Sequence, residues 1–518
     1  MADWLLEVAR ATPDRPAVID DAGTRWTFAE LSAAARRLAL GIDATGVRAG
    51  DRVAALLADG APFVALVHAS RLLGTALVPL NRRAMPAELG PQLAEAGTRV
   101  LVCDGTTAVA ARAASGSAGA ASGSAGEPEP LVLGVDELER LGARSGRGWT
   151  DRLRDAVDLA APATIVFTSG TTGRPKGAIL SHGNQRASAT AWAAFLRPRP
   201  SDRWLSCLPC YHVAGLAMID RAMHWGVPLV VHRRFDPAAV ARALVDDEVS
   251  HLSLVATMLR GLLDAEEGRL APAALRAILL GGGPTPAPLV REAVGLGFPV
   301  VPTYGLTETA SGVVALPAGD AALRPGSAGW PLPGVELAIS ARDHDERHLP
   351  EPPDAHARPG EIGEILVRGP MVFAGYDGRP AETAAALAGG WLRTGDLGAV
   401  DEAGCLTVVD RRDDLLVSGG ENVYPAEIEA VLLAHAAVDD AAVVGRPDAR
   451  WGSVPVALVV ARPGSPVDSD ALIAHCRARL AAFKVPVAVR LVAALPRSGG
   501  GKLLRREVRA MLTENDQA

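Results

Sequence analysis

The stretch TIVFTSGTTGRPKGAILSHGN, Thr164 to Asn184, decides how the rest of the chain is read. A β-rich apolar run feeds a loop of small hydroxyls and glycines, Thr168, Ser169, Gly170, Thr171, Thr172 and Gly173, and Lys176 follows. Glycines and short hydroxyl side chains let backbone amides approach phosphate oxygens, and a lysine adds compensating charge, so the stretch predicts a phosphate-binding loop at a strand end. It departs from the Walker pattern, in which Gly-Lys is followed by Ser or Thr, because Pro175 precedes Lys176 and Gly177 follows it. A GTPase or Walker-type ATPase is thereby disfavoured.

Working outward, further apolar runs precede turns and Ala-rich segments, as at Ala163 to Phe167, Ala277 to Leu280 and Pro299 to Val301. This alternation predicts an α/β fold with ligand loops at the strand ends. At 518 residues, 49% hydrophobic and 21% charged, the chain has material for two to four structural units and a substantial core. A formal charge of -7, from 52 basic and 59 acidic side chains, argues against a general polyanion binder. The five cysteines, Cys103, Cys207, Cys210, Cys405 and Cys476, are too few for a disulfide framework and suit a reducing compartment. The start, with Asp3 and Glu7, lacks signal-peptide character, and no apolar run reaches membrane-spanning length, so a cytoplasmic protein is expected. Cys207 and Cys210 form a C-x-x-C without a second ligand pair at metal spacing, which disfavours zinc. The small, polar residues between Gly105 and Pro130 predict a flexible surface insertion, and the charged, Pro-rich segment Asp343 to Gly360 an exposed loop before a strand at Glu361 to Gly369. The charged run DRRDD, Asp410 to Asp414, marks a hinge candidate, followed by a helix-like run from Ala426 to Ala436.

Six segments in order carry a resemblance: TSGTTGRPKG from Thr168, GGGPTP from Gly281, YGLTETAS from Tyr304, RTGDLG from Arg393, DRRDDLLVSGGENVYP from Asp410 and RSGGGK from Arg497. Together they resemble the adenylate-forming superfamily of acyl-CoA synthetases, adenylation domains and luciferases. The resemblance implies a large N-terminal domain, residues 1–409, of α/β subdomains plus a small β-barrel-like subdomain. A mobile α+β C-terminal domain, residues 410–518, would follow.

It also implies roles. ATP or AMP would lie against Thr168 to Gly173, Lys176, Gly282, Gly283, Pro284, Thr303, Tyr304, Gly305, Thr307, Asp396 and Arg411. Glu308 would bind the magnesium that accompanies ATP, a hard oxygen ligand for a hard cation. Lys502, with Lys176, Thr307 and Glu308, would serve catalysis, its ammonium bridging the attacking carboxylate and the α-phosphate. Asp413 would be the hinge, where many relatives carry lysine, and Ser418, Gly419 and Gly420 would approach the pantetheine of CoA. His212, Val213, Gly215, Thr257, Gly282 and Ser311 would face the acid, with Ala214 and Val255 as further small walls.

The likeness extends beyond nucleotide motifs. DWLLEVARATPDRPAVI, LPCYHVAGLAMIDRAMHWGVPLVVHRRFD and HLSLVATML resemble the branch that ligates 2-succinylbenzoate to CoA in menaquinone biosynthesis. A dicarboxylate with a benzene ring needs apolar walls and a polar partner for its non-reacting carboxylate. Arg221 is a candidate for that partner, although on a helix-like segment it reads equally as a surface charge. Gly312 departs from that branch, whose members often carry a larger polar residue there. Competing expectations are a ligase for a medium-chain or another aromatic acid, and a stand-alone module that loads a carrier protein. The expected partners are therefore a small carboxylic acid, ATP and CoA, without nucleic acid or a membrane segment, and a homodimer is a candidate assembly.

Overall fold

The computed structural model describes residues 3–514 except 22, 122–128, 145–152, 169–174, 284, 341–356, 412–413, 415, 419–420, 449–450, 481, 499–500 and 502. Two large sheets build the N-terminal body. The parallel middle of the nine-stranded sheet runs through Val300–Leu306, Ala277–Leu280, His251–Leu254, Trp204–Ser206 and Leu229–Val231. The seven-stranded sheet contains Pro162–Thr168, Ala76–Pro79, Arg52–Leu56, Val100–Cys103 and Leu131–Gly134 in parallel, and Lys176–Ser181 returns antiparallel beside Pro162–Thr168. Strands covered on both faces read as continuous apolar runs, which is why Ala-Ile-Leu-Leu at Ala277–Leu280 is buried at every position.

The largest apolar cluster joins one face of each sheet. Val53, Val102 and Val166 meet Trp204, Leu229 and Leu279 there, with Leu38, Leu66, Trp192 and Ile219 from the intervening helices.

An antiparallel sheet of Glu336–Ser340, Gly363–Arg368, Leu387–Ala388, Trp391–Val400 and Leu406–Arg411 supplies the barrel-like subdomain. A bridge from Leu406 to Gly329 ties it to the nine-stranded sheet's flank. The chain changes sheet between Arg411, which is still in register with Asp396, and Leu416. From there Leu416–Ser418, Glu421–Val423, Val438–Asp448, Gly452–Ala461 and Ala488–Leu491 form the C-terminal sheet, packed by helices Pro425–Leu433 and Ser469–Arg477. The expected α/β body with an α+β C-terminal unit is the fold observed.

One expectation fails. The segment Gly105 to Pro130, read as a flexible insertion, contains a helix at Ala108–Ala121. Ala111, Ala114 and Ala118 recur at helical spacing and are buried against the strand layer, and Ser115 donates to the Pro130 carbonyl at 2.8 Å. Alanine carries little side-chain entropy into a helix, and the small surface permits close packing: a Cβ on Gly90 of the neighbouring helix would lie 2.6 Å from Ser117 Cβ. Residues 122–128 of that segment, and most of the expected loop from Asp343, lie outside the described residues.

Candidate functional site

The hairpin of Pro162–Thr168 and Lys176–Ser181 sets Thr168 opposite Lys176, and the Thr168 hydroxyl faces the Lys176 carbonyl at 3.4 Å. The loop tip between them, with Ser169, Gly170, Thr171, Thr172 and Gly173, lies outside the described residues. Lys176 Nζ sits 5.3 Å from the centre of the Tyr376 ring, and the Tyr376 hydroxyl donates to Glu308 Oε1 at 2.8 Å. A cation, an aromatic face and a carboxylate thus stand in sequence at the base of the Thr168–Lys176 hairpin. Burial, reinforced by Glu308, raises the Tyr376 hydroxyl well above its ordinary range, so it remains a donor at every physiological pH. Glu308 is a hard oxygen donor beside a loop suited to phosphate, and no group of three His, Cys, Asp or Glu side chains is present among the described residues. Magnesium, commonly held by one or two carboxylates plus substrate phosphates, fits that donor set.

Glu308 reaches this position because strand Val300–Leu306 ends in the 3-10 turn Thr307–Thr309 and reverses into Ser311–Ala315. Along that strand Thr303 donates to the Leu280 carbonyl at 3.3 Å, and the Tyr304 hydroxyl donates to Asp396 Oδ2 at 2.9 Å. Asp396 is buried and in register with Arg411. Gly305 is required by close approach, since a Cβ there would lie 2.0 Å from the Ser311 carbonyl.

Val255 lies between Gly282 and the C-terminal unit. A Cβ on Gly282, which has φ +80, would lie 3.2 Å from Val255 Cγ1, and one on Gly501 would lie 3.0 Å from Val255 Cγ2 and 3.7 Å from Thr257 Oγ1. Thr257 is exposed, whereas Gly283 has open space where its side chain would be. The turn bearing Gly501 is fastened from behind: Arg497 donates to the Gly501 carbonyl at 2.8 Å and pairs with Asp440 at 2.7 Å. Lys502, Pro284, Asp413, Gly419 and Gly420 lie outside the described residues. Ser418 is buried in the C-terminal sheet, in register with Glu421 and Gly452.

Among the residues expected to face the acid, His212 caps helix Val213–Trp225 and its ring lies 4.5 Å from that of Tyr211. Val213 and Ala214 are half-buried, and Gly215 must lack a side chain because a Cβ would lie 2.4 Å from the Pro209 carbonyl. Farther along this helix Arg221, read equally as a surface charge from sequence, is 3% exposed. Its guanidinium donates to Ser311 Oγ and lies 4.7 Å over Trp192 and 5.8 Å from Trp204. Arg221 Nε has no hydrogen-bond partner among the described residues. Burial brings this group down to about 9 against the opposing pull of Asp220, so it stays a cation at neutral pH.

Ala310 and Ser311 take φ of +49 and +96, left-handed values that cost energy without glycine. Three bonds hold them: Ser188 Oγ to the Ala310 carbonyl at 2.9 Å, Thr309 Oγ1 to the Ser311 carbonyl at 2.7 Å, and Arg221 to Ser311 Oγ. Gly312 now has a cause. A Cβ there would lie 2.8 Å from Trp192 Cζ2, and the indole Nε1 donates to the Gly312 carbonyl at 3.0 Å, so Trp192 occupies the space a larger residue would need.

Sequence reading missed Tyr376 and Trp192. The chain has only four tyrosines, and Tyr211, Tyr304 and Tyr424 each stand in a quoted segment; that scarcity was the available signal for the fourth. Cys207 and Cys210 are buried and free, and burial pushes the Cys207 thiol up to about 12.

Comparison with known proteins gives the family. Residues 5–377 match the AMP-binding enzyme family and residues 427–502 its C-terminal domain. The 2-succinylbenzoate–CoA ligase of Geobacillus kaustophilus is 40% identical over 519 aligned residues, covering 100% of this chain and 99% of that one. The o-succinylbenzoate CoA synthetase of Bacillus subtilis with its acyl-adenylate intermediate is 38% identical, superposes with a TM-score of 0.87, and covers 98% of both chains. The same enzyme with ATP and magnesium gives 0.86 at 38% identity, covering 98% of this chain and 99% of that one. A double mutant of it bound to a product analogue gives 0.72 at 38% identity and 98% coverage of both chains.

Proposed function

The chain belongs to the AMP-binding enzyme family, and from that premise we propose that it is an ATP-dependent acid:CoA ligase that acts on 2-succinylbenzoate in menaquinone biosynthesis. The observation that carries the substrate is Arg221, a guanidinium 3% exposed whose described hydrogen-bond partner is a neutral hydroxyl. A buried cation of that kind is matched by an anion that arrives with the ligand. 2-Succinylbenzoate carries two carboxylates, and the unhindered one on the succinyl arm is the one activated, which leaves the ring carboxylate for Arg221. Ser311, Thr257 and His212 supply polar contacts around the acid, and Val213 and Gly215 its small walls.

A free carboxylate is a poor acyl donor because its leaving group would be oxide. In the first step its oxygen attacks the α-phosphorus of ATP, the bond to pyrophosphate breaks, and an acyl adenylate forms. In the second, the CoA sulfur attacks the carbonyl carbon, AMP leaves, and the thiol proton passes to solvent. Lys176 and the loop from Thr168 to Gly173 hold the phosphates. Adenine lies against Gly282, Gly283 and Pro284, and the Asp396 carboxylate, oriented by Tyr304, accepts from the ribose hydroxyls with Arg411 alongside. Glu308 would hold the magnesium that accompanies ATP, which would supply charge neutralisation at the phosphate oxygens, and Thr307 lies beside it in the same turn. Lys502 stabilises charge at the α-phosphate in the first step only. Rotation about Asp413 then withdraws it and brings Ser418, Gly419 and Gly420 toward CoA.

No described helix is long and apolar enough to cross a membrane. The five free, buried cysteines suit the reducing cytoplasm.

The test offers saturating ATP and CoA with a panel of carboxylates and follows pyrophosphate and AMP release. 2-Succinylbenzoate should give the highest kcat/KM; a preference for octanoate or benzoate defeats the assignment. Replacing CoA with a holo-carrier protein should abolish turnover.

A further inference from the structure

Asp220 and Arg221 are neighbours on helix Val213–Trp225, 4% and 3% exposed. Buried charges are ordinarily paired, and an adjacent carboxylate is the nearest available counter-ion for Arg221. The fold directs that carboxylate elsewhere. Arg71, on helix Ala61–Leu73, donates from Nη2 to Asp220 Oδ1. The Arg71 guanidinium is fixed by groups around it: it donates to Gln185 Oε1 at 3.0 Å, Gln185 Nε2 donates to Thr164 Oγ1 at 3.2 Å, and the Trp4 ring lies 4.9 Å away. Arg71, Gln185 and Thr164 are all buried. Asp220 still acts on Arg221 through space, but the hydrogen bond of Arg221 goes to Ser311 Oγ and its guanidinium lies over two indole rings, which favour a cation without neutralising it.

We propose that Arg71 is a positioning residue for substrate selection: by taking the Asp220 carboxylate it keeps Arg221 available for the second carboxylate of the acid. This rests on the assignment of Arg221 to the ring carboxylate. The pair Arg71–Asp220 touches neither reacting atom, so its effect falls on which acid is chosen and not on the chemical steps.

The experiment compares 2-succinylbenzoate with benzoylpropionate, the same acid without its ring carboxylate, by acid-dependent pyrophosphate release. Arg71→Gln frees Asp220 to pair with Arg221; the KM for 2-succinylbenzoate should rise roughly tenfold or more, a change of about 1.4 kcal/mol, while kcat and the KM for benzoylpropionate stay within about twofold. Arg71→Gln/Asp220→Asn removes both charges and should restore the preference for the dicarboxylate. It also guards against misfolding, because deleting both members of a buried pair is tolerated better than deleting one. Asp220→Asn alone should keep the preference. Equal loss on both acids in Arg71→Gln, no rescue in the double variant, or loss of preference in Asp220→Asn overturns the proposal. Arg221→Gln separates it from its premise: an undiminished preference there defeats the assignment of Arg221 itself, whereas a lost preference leaves that assignment standing whatever Arg71 does.

Discussion

At the scale of single residues, Tyr376 joins Lys176 to Glu308, two side chains at the base of the Thr168–Lys176 hairpin. A hydrogen bond to a charged group contributes about 1.5–3 kcal/mol. Tyr376→Phe should therefore lower kcat/KM for ATP roughly ten- to hundredfold and leave the KM for the acid unchanged, as measured by initial rates at fixed magnesium. An unchanged ATP dependence would show that Glu308 does not need this partner. Lys502→Ala should slow acyl-adenylate formation by roughly 10²–10³ and spare thioester formation from supplied adenylate; equal losses in both half-reactions contradict its role. Lys176, Glu308, Asp396 and Tyr304 could be singled out from the sequence because each sits in a short local motif, and the structure sets Lys176 and Glu308 about Tyr376 and Tyr304 against Asp396. Tyr376 and Trp192 were not, because their roles come from neighbours far along the chain: Glu308 for one, Gly312 and Arg221 for the other.

At the scale of elements, helix His182–Leu196 follows the Thr168–Lys176 hairpin and carries Trp192 to Gly312, with its first residue buried. Burial, with Arg71 adding to it, lowers His182 from 6.5 to about 3. The unfolded chain takes up this proton below pH 6.5 and the folded chain resists until about pH 3, so the associated stability is present above 6.5 and is lost as pH falls through that window. Between pH 7 and pH 5 the stability of the wild type should drop by about 2 kcal/mol more than that of His182→Gln, measured by urea unfolding. Parallel losses would show that His182 titrates normally. The strands at Ala277–Leu280 and Pro162–Thr168 were legible because burial on both faces imposes apolar runs. The helix at Ala108–Ala121 was not, because glycine and serine also mark linkers; only its packing against the helix bearing Gly90 reveals why small residues are needed.

At the scale of the molecule, the proposed mechanism has the two half-reactions use different faces of the C-terminal unit at one cleft, and the Gly501 turn beside Val255 is the contact that bears on the first. The Gly501 turn rests on Val255 and Thr257, and the chain superposes on the acyl-adenylate complex of the Bacillus subtilis enzyme with a TM-score of 0.87 against 0.72 for the product-analogue complex. Sequence motifs single out candidate residues, but the approach of Gly501 to Val255 joins positions far apart in the chain and no local pattern encodes it. A Cβ on Gly501 would lie 3.8 Å from Val255 Cβ, close to the average for a disulfide of about 3.8 Å. The most direct test is therefore Val255→Cys/Gly501→Cys, oxidised and then reduced. The oxidised enzyme should keep acid-dependent exchange of pyrophosphate into ATP, lose thioester formation, and regain it on reduction; thioester formation at an undiminished rate in the oxidised enzyme would contradict alternation of the C-terminal unit between the two steps.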